Sequence, residues 1–77
     1  MGRISTTAEK FAIRIRFERT KKRYSQEKLA ELAGIGRATY TQIEAQTSSP
    51  TLDTVEKIAK ALGFEPYELL IFKNLEI

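Results

Sequence analysis

From Ser25 to Glu44 the sequence SQEKLAELAGIGRATYTQIE sets two short blocks of helical periodicity on either side of a glycine. In the first, Leu29, Ala30, Leu32 and Ala33 recur at spacings that make one apolar stripe, with Glu27, Lys28 and Glu31 turned to water. Ser25 stands at the N-cap position, and Gly34 supplies the turn that ends the block. The second block starts near Gly36 and sets Ala38, Tyr40 and Ile43 inward, leaving Arg37, Thr39, Thr41 and Gln42 on other faces. Two short helices, a tight turn and a polar outer face predict a helix-turn-helix, whose second helix offers those side chains to a DNA groove.

The flanks carry the same period. AEKFAIRIRFERTKKR reads as a first helix with Thr7 as its N-cap. Ala8, Phe11, Ala12 and Ile15 share one face and Ile13 and Phe17 another, although the alternation from Phe11 to Phe17 also suits a strand. Tyr24 precedes the Ser25 cap as a hydrophobic staple for Leu29, but Lys28 at N3 denies that helix a full capping box. A fourth helix is expected after Thr51, through Val55, Ile58, Ala59 and Leu62, ending at Gly63. Pro66 at N1 opens a fifth that runs to about residue 75, with Phe64 and Leu69 as its staple. The expected architecture is all-α, five helices in a single domain over residues 1–77, with no repeats or linkers.

Composition narrows the chemistry. A chain of 77 residues buries only about 60% of its unfolded surface, so a partner subunit would help its thin core. It has no Cys and no His, which removes disulfides, ordinary zinc sites and Ser-His-Asp or Cys-His catalysis; no metal, cofactor or enzymatic activity is expected. The GIG at 34–36 lacks the third glycine, the preceding strand and the Lys-Ser/Thr of a nucleotide loop. No apolar run of membrane length and no signal segment is present, which makes a cytoplasmic protein the default. The net charge of +3 is uneven: residues 1–46 hold ten Lys/Arg against five acids, and residues 47–77 hold three against five. The basic half carries the motif, and a positive face attracts phosphate by releasing counterions, whatever the base sequence.

The motif resembles the lambda-repressor-like (Xre/Cro) helix-turn-helix family in five positions, Gln26, Leu29, Ala30, Gly34 and Glu44, and the resemblance runs from about Ile15 to Leu70. PTLDTVEKIAKALGFEPYELL is similar to the family's fourth and fifth helices, with Pro50, Leu52, Ile58, Ala59, Leu62 and Leu69 at core positions. The resemblance implies double-stranded operator DNA as the partner. It places Arg37, Ala38, Thr41 and Gln42 at base-reading positions, and each has matching chemistry: Arg for guanine, Gln for adenine, a small Ala or Thr methyl for thymine. Gln26 is the implied phosphate contact, Thr39 and Thr41 are further phosphate candidates, phosphate is the alternative partner for Arg37, and Lys21, Lys22 and Arg23 screen the backbone at longer range. Arg19 and Glu44 stand where the family pairs a late helix-1 Arg with the acid that ends the recognition helix.

Two stretches depart from the pattern. After Glu44 the family commonly has a basic residue and Gly, whereas this chain has Ala45, Gln46, Thr47, Ser48 and Ser49. Gln46 then takes the left-handed backbone usually given to Gly, and hydroxyls replace cations, so weaker or more salt-sensitive DNA affinity is expected. The C-terminal LLIFKNLEI is more apolar than one small core can absorb; Ile71, Phe72, Leu75 and Ile77 are candidates for a two-fold interface, against a tail folded on its own subunit. The resemblance implies a homodimeric regulator on a pseudo-palindromic operator, ranked first as a restriction-modification controller and then as a Cro-like phage repressor or small antitoxin. An activator also needs RNA polymerase, to which Glu27 and Glu31 offer a surface or are simply solvated acids. An antitoxin or anti-repressor module that binds mainly protein is the alternative class.

Overall fold

The computed structural model describes residues 6–72, and among them there are four α-helices, one short 3₁₀ helix and no strand. The helices are α1 (Thr7–Lys21), α2 (Gln26–Ala33), α3 (Arg37–Glu44) and α4 (Leu52–Leu62), followed by the 3₁₀ helix Pro66–Leu70. The strand alternative for Phe11–Phe17 is thereby settled in favour of a helix, with Phe11, Ala12 and Ile15 buried and Phe17 exposed on the other side. The N-cap of α1 is Thr6 and not Thr7. Thr6 Oγ1 accepts from the Glu9 amide at 3.1 Å while Glu9 Oε1 accepts from the Thr6 amide at 3.0 Å, a capping box that satisfies two otherwise orphaned N–H groups.

The other caps fall at the expected residues. Ser25 Oγ accepts from the Lys28 amide at 2.9 Å, and Thr51 Oγ1 from the Thr54 amide at 3.1 Å. Gly34 (φ 73°) and Gly63 (φ 86°) end α2 and α4 in the left-handed region, where a β-carbon is strained. These stops let α2 pack on α3 and α4, and α1 on α3, α4 and the 3₁₀ helix. One core results, built on Phe11, Ile15, Leu29, Tyr40, Ile43, Ile58, Leu62 and Leu69, with Tyr24, Ile35 and Phe64 packed at its edge.

Four expectations about packing are corrected. Leu32 is 46% exposed: it lies about 60° round the helix from Leu29, on the side away from Ala30. Ala38 is exposed, being about 160° from Tyr40 and therefore opposite the core. Leu52 is 83% exposed because it is the first residue of α4 and lies beyond the stripe of Val55, Ile58, Ala59 and Leu62. The fifth helix does not run to residue 75; Ile71 is already extended (φ −95°, ψ 115°). Arg14 caps this end: its Nη1 donates to the carbonyls of Glu68 (3.1 Å), which also accepts from the Ile71 amide, and of Ile71 (2.8 Å). No described helix is long and apolar enough to cross a membrane.

Candidate nucleic-acid interface

The orientation of α3 is fixed from beneath by one carboxylate. Glu44, whose side chain is only 4% exposed, follows Tyr40 by one turn and therefore shares its inner side. Arg19 grips it with two parallel bonds, Nε to Oε2 at 2.7 Å and Nη2 to Oε1 at 3.1 Å. Gln26 Nε2 donates to Oε1 at 2.9 Å, and the Tyr40 hydroxyl donates to Oε2. Arg19 Nη1 also donates to the Tyr24 carbonyl at 2.8 Å, so α1, the turn after it, α2 and α3 all meet at this point.

The electrostatics follow from that crowd of donors. Burial alone would push the Glu44 carboxyl up, but the hydrogen bonds from Arg19, Tyr40 and Gln26 outweigh it and hold the group below its ordinary value. The hydrogen bond to Glu44 raises the Arg19 guanidinium further. Burial, and then the bond to the Glu44 carboxylate, raise the Tyr40 phenol well above its ordinary value. The Arg19–Glu44 pair expected from the sequence is present, and the tyrosine and glutamine that complete it were missed. The i, i+4 spacing of Tyr40 and Glu44 was the available signal.

Arg37, Ala38, Thr39 and Gln42 are exposed on α3: Ala38 and Gln42 lie opposite Tyr40, whereas Arg37 is the first residue of the helix, about 60° round from Tyr40. Thr41 is half-buried, its Oγ1 3.4 Å from Gln26 Oε1, so the hydroxyl is partly committed to α2. Gln26 itself spends one N–H on Glu44 and keeps the second. The N-cap of α3 is Gly36, which brings no side-chain oxygen, and the helix opens without an acid in its first turn. Arg37 Nη1 lies 3.7 Å from Glu27 Oε1 across the motif turn. Lys21, Lys22 and Arg23 are exposed at the end of α1 and in the turn toward α2; Lys21 Nζ lies 3.8 Å from Glu18 Oε1 and over the Phe17 ring. Arg23 (φ 61°) and Gln46 (φ 65°) both take the left-handed backbone, Gln46 as its loop position required.

Of the expected interface residues, Ile71 is 47% exposed and Phe72 is half-buried with Lys10 over its ring; Leu75 and Ile77 lie outside the described residues. Sequence reasoning also missed the clamp beneath them. Glu18 is buried in α1, and its Oε2 accepts from Arg14 Nε at 2.9 Å while Arg14 stacks on Phe64 and holds the two C-terminal carbonyls. Among the described residues no group of His, Cys, Asp or Glu is arranged to hold a metal ion.

Comparison with known proteins gives the same constellation a family. Residues 15–69 match the helix-turn-helix family HTH_3. Control protein C.BamHI of Bacillus amyloliquefaciens is 43% identical over 56 residues, covering 73% of this chain and 69% of the relative. The cryptic phage CTXphi transcriptional repressor RstR of Vibrio cholerae is 42% identical over 60 residues, 78% of this chain but 54% of the relative, so the chain spans about half the length of that repressor. The crystal structure of the restriction-modification controller protein C.AhdI from Aeromonas hydrophila superposes with a TM-score of 0.77 at 40% identity, covering 80% of this chain and 94% of the other. The chain belongs to the HTH_3 helix-turn-helix family, DNA-binding transcriptional regulators of the Xre type.

Proposed function

We propose that this chain is a dimeric regulator of the controller type, which binds a pseudo-palindromic operator with α3 in the major groove. The observation that carries the proposal is the exposed surface of α3, with Ala38 and Gln42 set opposite buried Tyr40, Arg37 exposed at the helix start, and the helix anchored through Glu44. Arg37 reads guanine through two donors, Gln42 reads adenine, and Ala38 and the Thr41 methyl meet thymine. Gln26, through its remaining N–H at the N-terminus of α2, and Thr39 contact phosphates, while Lys21, Lys22 and Arg23 add a longer-range positive field. Ile71, Phe72 and Leu75 form the two-fold contact, which places two recognition helices one DNA turn apart. In an activating mode, exposed Glu27 and Glu31 are the surface offered to RNA polymerase.

A second reading, an antitoxin or anti-repressor that binds mainly another protein, draws on exposed Ala45, Gln46 and Thr47, which give the backbone no cation after α3. Gel-shift titrations on the duplex that the wild-type protein selects from a randomised pool separate the two. Arg37→Ala should lose roughly 1–3 kcal/mol of discrimination at one base pair per half-site, and Gln26→Ala should weaken all duplexes by a similar factor. A pool with no enriched sequence, or equal losses on every duplex for Arg37→Ala, contradicts base reading by α3.

A further inference from the structure

We infer that Glu27 is a positioning residue for Arg37, steering its guanidinium at the start of α3 and thereby setting how sharply the helix discriminates bases. The inference rests on the proposed base-reading role of Arg37. Glu27 Oε1 and Arg37 Nη1 are 3.7 Å apart, and both side chains stand clear of the core, 72% and 69% exposed. They face one another over a shallow open hollow floored by Ala30 and Ile35, beside the Gly34–Gly36 turn. Among the described residues no other acid lies within ion-pair distance of Arg37, and the Gly36 N-cap offers it no side chain. The guanidinium therefore has one ionic neighbour, beyond hydrogen-bonding distance, and it comes from the other helix of the motif.

The position of Glu27 makes a purely incidental acid expensive. It sits in the first turn of α2, where the helix dipole favours it in the free protein, but that helix end is the one the proposed function brings to a phosphate. A carboxylate there repels the backbone of every duplex, whatever its sequence. What offsets the repulsion is orientation. An arginine free to rotate loses rotamer entropy when it settles on a guanine edge and reaches neighbouring phosphates as easily, whereas one drawn toward a nearby carboxylate is biased to fewer directions.

A double-mutant cycle of Glu27→Gln and Arg37→Ala tests this, read by gel shift on the selected duplex, its single-base-pair variants and an unrelated duplex. Glu27→Gln keeps the side chain's size and removes its charge. It should tighten binding to all duplexes while lowering discrimination at the Arg37 base pair about two- to fivefold, the range spanned by exposed ion pairs. In the Arg37→Ala background the same change should leave discrimination as it is. If Glu27→Gln shifts every duplex by one common factor in both backgrounds, Glu27 is only a repelling charge and the inference fails while base reading by Arg37 stands. If Arg37→Ala alone costs no discrimination, the base-reading proposal falls, and the positioning role falls with it.

Discussion

At the scale of single residues, Glu44 holds more of the recognition helix than any side chain on its outer face. A carboxylate taken out of water is tolerated only because four donors replace the water it lost. Such a group contributes orientation more than net stability, yet breaking it is costly because the charge stays behind. Arg19→Ala should lower stability by about 3 kcal/mol, near the lower end for a buried pair, and melting temperature by roughly 15 °C, measurable by circular dichroism. The pH dependence has a definite sign. Glu44 is held below its ordinary value, so its contribution is complete above the range where unfolded carboxyls titrate. It fades as pH falls below about 4.5 toward the folded value. Tyr40 acts at the other end: its phenol is raised when folded, so stability falls as pH rises past about 10, where the unfolded chain ionises. Denaturant titrations across pH should show both losses, and Tyr40→Phe should abolish the tyrosine's share of the alkaline loss.

At the scale of elements, the loop from α3 to α4 is where the chain stores avoidable strain. Gln46 at φ 65° ends α3 with its amide on the Ile43 carbonyl at 3.1 Å, and Thr47 returns to the Gln42 carbonyl through both its amide (3.0 Å) and its hydroxyl (3.2 Å). Gln46→Gly should therefore raise stability by about 0.5–1 kcal/mol in thermal melts, because the left-handed penalty exceeds the added chain entropy. This strain was legible beforehand, as were the Ser25 and Thr51 caps and the Gly34 and Gly63 stops, since each depends on chemistry local in sequence. Thr6 is legible too, through Glu9 three residues on, although adjacent Thr7 offers the same hydroxyl. Helical angle alone puts Leu32 at the edge of its stripe and Ala38 opposite Tyr40, so their exposure was legible, whereas that of Leu52 was not, because periodicity does not say where a neighbouring helix ends. The length of the last helix was not legible at all. Its end is capped by Arg14, more than fifty residues away, whose guanidinium takes the carbonyls of Glu68 and Ile71.

At the scale of the whole molecule, the charge imbalance and the apolar C-terminus bear on the same question, how two copies meet one duplex. The basic N-terminal portion supplies attraction that any sequence shares, and the neutral 45–49 loop withholds cations that the family commonly adds there. On the proposed reading, specificity then comes from α3, presented twice. The candidate site was legible as a motif, whereas its rigidity was not, because Arg19, Gln26, Tyr40 and Glu44 are brought together only by tertiary packing. The most direct test of the account is a hydroxyl-radical footprint of the full chain on its selected duplex. Two protected patches on one face, centred about 10 base pairs apart, are the predicted result. A single patch, or two whose spacing does not match one helical turn, contradicts a dimer that reads successive grooves.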